Sequence, residues 1–150
     1  MADIDRPLAA RGRTDARAAG AWLAQHGILP NQVLCSPARR TRQTWEGVGQ
    51  SIERANGTDL PTARFESVIY TGGAQGVLGL IRQVAPEVGT LLLIGHNPTV
   101  SELSHLLDPA QATAGWLRTC EIVVHQLDGD WADLRPGAAP IRQRHLARAA

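Results

Sequence analysis

At 150 residues with 43% hydrophobic side chains, the chain can bury a core of ordinary size, and it reads as one domain over 1–150. Fifteen Lys and Arg against fourteen Asp and Glu leave a formal net charge of +1, which argues against the broad field of a nucleic-acid or anionic-membrane binder. One Tyr and one Phe are few for base stacking, although there are four Trp.

Two cysteines, Cys35 and Cys120, make neither a CxxC pair nor a disulfide framework, as expected of a reduced cytoplasmic protein. The opening MADIDRPLAARG has no apolar leader core, and no window reaches the length of a transmembrane helix. The expectation is a protein that is neither exported nor membrane-bound.

In chain order, Ala16, Ala19, Gly20 and Leu23 fall at helical spacing between 14 and 25, and HGILP closes the pattern. NQVLCSP then gives a short apolar strand that stops at Ser36-Pro37, after which Thr41, Trp45, Val48 and Ile52 mark a second helix. The Gly-, Pro- and Thr-rich stretch 55–76 reads as loop around a short strand near 63–67, with its glycines as turn formers. Val77, Leu80, Ile81 and Val84 mark a third helix that leads into a strand over 90–94. In LLLIGHNPTV this strand ends at Gly95-His96, and Asn97-Pro98 suits a helix start, with Asn as N-cap and Pro at the first helical position. Val100, Leu103 and Leu107 carry the fourth helix. Near the C-terminus CEIVVHQL and DWADL flank Asp128-Gly129, a favoured hairpin turn, and Arg142, Arg144 and Arg148 form a basic, solvated tail. Strands alternating with helices, then a hairpin, predict an α/β sandwich. TGGAQG is not a dinucleotide fingerprint and no Gly-Lys-Ser/Thr follows a strand, so no nucleotide site is expected.

One arrangement occurs twice. Each of the two strands ends in a capping residue and a helix-starting proline, Ser36-Pro37 and Asn97-Pro98, with Arg40 and His96 close by. If Ser36 caps its helix, Arg40 lies on the first turn and its side chain leans back toward the strand end. In an open α/β sheet both junctions then face one crevice. Helix N-termini, a guanidinium and an imidazole together suit a tetrahedral oxyanion, with Arg40, His96, Ser36 and Asn97 as the phosphate-binding set.

The segments DRPLAARG (5–12), LCSPARRTRQT (34–44) and LLLIGHNP (91–98), with GDWADLRPG near the end, resemble the histidine phosphatase superfamily in order and spacing. The likeness is to its small SixA-like phosphohistidine phosphatase branch and spans nearly the whole chain. It implies a three-layer α/β/α sandwich of phosphoglycerate mutase-like type, with a mostly parallel sheet and a C-terminal hairpin. It also implies a metal-independent phosphatase without cofactor, acting on a phosphorylated protein or a small phosphate ester through a phosphohistidine intermediate. Arg40 and His96 take the roles of the catalytic pair that holds the equatorial oxygens.

The resemblance places the nucleophilic histidine in an Arg-His motif at the end of a first, central strand, upstream of the segment matched here by Asp5 to Gly12. No Arg-His pair precedes Asp5, so this chain is expected to lack that strand and to be inactive as written, with the missing part encoded upstream. Glu66 is a possible general acid, with Tyr70 in the same loop region. A non-catalytic module that binds phosphoprotein through Arg40 and His96 is the alternative. A cysteine phosphatase is disfavoured, because an Arg six positions after Cys35 is required and position 41 is Thr. Glu102 and His105 form a solitary ExxH, more simply a surface pair than a metal site.

Overall fold

A computed structural model describes residues 1–57 and 59–148. After an N-terminal 3-10 turn (Asp3–Asp5), helix α1 (Ala10–Gln25) leads to strand β1 (Gln32–Cys35) and helix α2 (Arg39–Asn56). Strand β2 (Arg64–Phe65), helices α3 (Ser67–Thr71) and α4 (Gly73–Ile81) and strand β3 (Leu91–Ile94) follow. Helix α5 (Thr99–Leu107) then precedes β4 (Glu121–His125) and β5 (Ile141–Leu146).

β2, β1 and β3 form a parallel sheet in that order, with β1 in the middle. Side chains of a strand alternate between its faces, and β3 shows where each face packs. Leu91 and Leu93 join the core made by Val77, Leu78 and Ile81 of α4 and by Leu103 and Leu107 of α5. Leu92 joins the opposite core, made by Ala16, Ala19 and Leu23 of α1 and by Val48 and Ile52 of α2. Helices therefore cover both faces, which gives the expected three layers.

α1 and α2 approach closely because their contact is built from small residues. A methyl group on Gly20 would stand 2.3 Å from the Val48 carbonyl oxygen, and one on Gly47 would stand 3.0 Å from the Ala16 methyl. The contact fixes the position of α2 and therefore of Arg40 at its start.

β4 and β5 pair antiparallel, with an irregularity between Val124 and His125. Here the sequence expectation needs correction. DWADL is not the second strand of the hairpin; Trp131–Asp133 forms a 3-10 turn instead. Trp131 Nε1 donates to the Val88 carbonyl at 2.9 Å, Leu134 enters the core, and the Leu134 carbonyl accepts from Arg82. The partner strand comes from the basic tail, which is not a solvated end. Arg144 pairs with Glu121 across the hairpin, and Arg148 pairs with buried Asp15 of α1. Among the described residues β3 pairs with β1 alone and β4 with β5 alone.

Both expected N-caps also shift. α2 begins at Arg39 with Ala38 at the cap, and α5 begins at Thr99 with Pro98 at the cap after a cis Asn97-Pro98 peptide. Ser36 and Asn97 stand just outside their helices because their side chains bind elsewhere.

Substituting Gly20 by Ala drives a methyl group into the backbone of α2. It should destabilise the protein by about 1–3 kcal/mol through overpacking, at roughly 2–4 °C of melting temperature per kcal/mol for a chain of this size. Thermal unfolding followed by circular dichroism checks this; an unchanged melting temperature would mean that the helices can separate freely.

Candidate active site

β1 and β3 pair in register, with Cys35 opposite Ile94, so the residues after both strands leave the sheet side by side. The Ser36 N–H donates to the Ile94 carbonyl at 3.0 Å, extending the pairing by one residue. Gly95 makes the next step possible: a methyl group there would meet Val100 at 2.9 Å and Ile69 at 3.1 Å. His96 follows, and its Nε2 lies 2.7 Å from Oγ of fully buried Ser36. From the first turn of α2, Arg40 returns over the strand ends and brings Nη2 within 3.3 Å of His96 Nδ1. The two junctions converge at one place.

These contacts define the state of the imidazole. A guanidinium has only donors, so Nδ1 must accept from Arg40 and the ring proton sits on Nε2, donated to Ser36 Oγ. Burial, and after it the charge of Arg40, lowers the His96 pKa from its ordinary 6.5. His96 is therefore neutral at pH 7.

Ser36 Oγ also accepts from the Ala38 N–H at 3.3 Å. Thr41 Oγ1 closes the turn below by donating to the Ser36 and Ala38 carbonyls, at 2.9 and 2.8 Å. The loop that carries Arg40 is thus tied to the end of β1.

A third element enters the site. The N-terminal turn places Asp3 against Arg40: Arg40 Nη1 donates to the Asp3 carbonyl at 2.9 Å and Nη2 to Oδ2 at 3.1 Å. Tyr70 Oη donates to the same Oδ2 at 2.6 Å, and Arg6 Nη2 donates to Oδ1 at 2.8 Å. The Tyr70 and Arg6 hydrogen bonds, followed by that of Arg40, hold the Asp3 carboxyl far below the ordinary carboxylate range. In return, the Asp3 hydrogen bond pushes the Tyr70 phenol up. The Tyr70 ring meets His96 edge-on, with centroids 5.4 Å apart. Asp3 had no signal in the sequence beyond preceding the Asp5–Gly12 match, and Arg6, although inside that match, was given no role.

Other predicted residues are engaged elsewhere. Asn97 Nδ2 donates to the Leu117 carbonyl at 2.6 Å while Oδ1 accepts from Ser101 at 2.5 Å, so its amide braces the turn after β3. Glu66 pairs with Arg64 at 2.7 Å. Cys35 is fully buried, and burial pushes its thiol up to about 12, which suits a packing residue and not a thiolate nucleophile. His105 Nε2 lies 3.3 Å from the Gly115 carbonyl, and no group of three His, Cys, Asp or Glu among the described residues could hold a metal ion.

The sequence does contain one Arg-His dipeptide, Arg144-His145, near its C-terminus. It lies on β5, and the His145 ring stacks on Trp22 with centroids 4.8 Å apart, so it plays no part in this cluster.

The model of the histidine phosphatase superfamily (branch 1) matches residues 2–60, a span that includes Arg40. An uncharacterised protein of Mycobacterium tuberculosis is 36% identical over 99% of this chain and 93% of its own length. The chain belongs to the histidine phosphatase superfamily. Within it the chain is SixA-like. A protein given the name phosphohistidine phosphatase SixA, from Nakamurella multipartitia, matches 99% of this chain and 89% of its own, with a TM-score of 0.82 and 28% identity. The protein histidine phosphatase SixA solved with tungstate matches 97% of this chain and 87% of its own, with a TM-score of 0.80 and 25% identity. Phosphatase chemistry is thus the activity of the family to which this superfamily member belongs.

Since the fold holds the His96 pKa below its ordinary value, the resulting stability is complete above pH 6.5 and is lost as the pH falls through the lowered pKa. An NMR titration of the His96 ring should give a midpoint below 6.5, and Arg40→Gln should raise it part of the way, because burial remains. A midpoint unmoved by Arg40→Gln would mean that the guanidinium does not act on the ring.

Proposed function

We propose that the end of the β1–β3 pair is a seat for a phosphoryl group, and that this chain binds the phosphoryl group of a phosphorylated protein, phosphohistidine above all, or of a small phosphate ester. The observation that carries this reading is the 3.3 Å approach of Arg40 to His96 above the carboxyl ends of two parallel strands. Arg40 donates to the equatorial oxygens, and His96 joins it once Nδ1 is protonated beside the dianion. Ser36 orients the imidazole, and Asn97 holds the turn that presents it. Phosphoryl transfer calls for charge neutralisation and in-line positioning, and a planar guanidinium beside an imidazole offers both without metal or cofactor. The names of the SixA neighbours and the tungstate in one of them favour an oxyanion at this seat.

Turnover by the family's route needs a histidine nucleophile facing the phosphorus. The remaining histidines are engaged elsewhere. His26 and His145 stack on Trp22, His125 lies between Ser104 and the Ala139 carbonyl, and His105 meets the Gly115 carbonyl. This favours the second reading for the 150 residues as they stand, that of a module that binds phosphoryl groups without hydrolysing them. Glu66, paired with Arg64, is a weaker choice of general acid than Tyr70, whose hydroxyl faces Arg40 and Asp3.

Calorimetric titration with inorganic phosphate should show binding by the chain. Arg40→Ala should weaken it roughly 10- to 100-fold, as loss of a charged hydrogen-bond donor worth about 1.5–3 kcal/mol requires. Hydrolysis of an aryl phosphate and of a phosphohistidine protein should be absent. Turnover that depends on Arg40 would instead place a nucleophile in the chain and restore the full phosphatase reading.

A further inference from the structure

We propose that the Asp3 carboxylate is an internal ligand of the phosphoryl seat, and that an incoming phosphate binds by displacing it. The inference rests on the reading of Arg40 and His96 as that seat.

The donors that would meet a tetrahedral oxyanion already meet a carboxylate. Arg40 Nη2 and Tyr70 Oη both donate to Asp3 Oδ2, at 3.1 and 2.6 Å, and Arg6 Nη2 donates to Oδ1 at 2.8 Å. Arg40 Nη1 is held as well, by the Asp3 carbonyl at 2.9 Å. Both terminal nitrogens of Arg40 are therefore engaged by one residue, and Nη2 is the atom that also faces His96 Nδ1. A phosphate cannot take Nη1 and Nη2 together while Asp3 keeps these contacts.

The turn that carries Asp3 is built to be displaced. Residues 1–6 are all exposed and the turn buries none of its residues, so its release uncovers no core. The Asp3 side chain is 52% exposed and its partner Arg6 59%, which makes that ion pair weak; Arg40 is 19% exposed, so its pair with Asp3, open on the carboxylate side, is the one a phosphate has to outcompete. The next fixed point along the chain is Leu8, whose N–H donates to Gln43 Oε1 of α2 at 2.7 Å, so a displaced Asp3 stays tethered close to the seat. A carboxylate carries one negative charge, whereas a phosphoryl dianion brings two, which strengthens its pull on Arg40 and favours the protonated His96 that can donate to it. A seat that is closed part of the time binds with an apparent affinity reduced by the open fraction.

Asp3→Asn keeps the size of the side chain and removes its charge. Asp5→Asn removes the same charge from the same turn at a residue that does not contact Arg40, and so reports the general field. Inorganic phosphate affinity measured by calorimetry should rise about 3- to 10-fold in Asp3→Asn and stay at the wild-type value in Asp5→Asn, with Arg40→Ala abolishing the gain. Equal affinity in wild type and Asp3→Asn, or an equal gain in both Asn variants, overturns the proposal and leaves the phosphoryl seat intact. Weaker binding by Asp3→Asn also overturns it, since Asp3 would then orient Arg40 for the anion. If wild type and both Asn variants fail to bind phosphate, or bind it regardless of Arg40, the seat itself is refuted and the proposal falls with it.

Discussion

The in-register parallel pairing of β1 and β3 is the constraint on which the site depends. Because Cys35 lies opposite Ile94, Ser36 and His96 become neighbours although sixty residues separate them in the chain. Parallel strands present their carboxyl ends together, and the helices that follow leave from the same edge, so polar groups from two distant segments collect in one shallow space. A register shift of one residue would turn Leu92 from the α1/α2 core toward the other face and would separate Ser36 from His96 at the same time. The apolar packing that fixes the register thus also fixes the imidazole.

The tight contact of α1 with α2 does the same for Arg40. Its position follows from small residues far from it, at Gly20, Gly47 and Ala16. Near the seat the charges cancel only in part. Arg6 and Arg40 are balanced in part by Asp3, and His96 stays uncharged. A net charge of +1 over the whole chain therefore says little about the local field, which is made by two guanidinium groups and one carboxylate.

Features with local signals were legible in the sequence. Apolar periodicity located α1, α2, α5 and the second half of α4, but not α3 or the first turn of α4, which fall in the glycine-rich stretch 55–76 expected to be loop. The two apolar runs that stop at Ser36-Pro37 and Gly95-His96 located β1, β3 and the convergence of Arg40 with His96. The caps were misplaced because Ser36 and Asn97 had to be judged by residue type. In the fold the Ser36 hydroxyl answers to His96 and the Asn97 amide to Leu117, both distant in the chain, and to the Ser101 hydroxyl one turn on, not to a helix N–H. The hairpin failed in the same way: DWADL follows a good turn but is drawn away by Val88 and Arg82, whereas IRQRHL gains its strand identity from Glu121 across the pair. The roles of Asp3 and Arg6 were invisible, since nothing about a short exposed turn reveals that it folds back over a guanidinium.

Two separate ladders, one parallel and one antiparallel, make up the β-structure of the described residues, and no ladder bond joins them. The hairpin is connected to the rest by loop bonds from Gly137 and Ala139 to the end of α5, by the Ser104–His125 and Asp108–Ile141 hydrogen bonds, by the Arg148–Asp15 pair, and by packing of Ile122 and Ala147 on the α1/α2 core. The segment that carries the hairpin also shares both cores with the rest: Leu127, Leu134 and Ala139 pack on the α4/α5 side, and Cys120, Ile122 and Ala147 on the α1/α2 side. Arg40, His96, Ser36 and Tyr70 all precede that segment in the chain. Asn97 and Ser101 clasp Leu117 from both sides, its carbonyl and its N–H, so the order of the segment that leads into the hairpin is linked to the order of the turn that carries the imidazole.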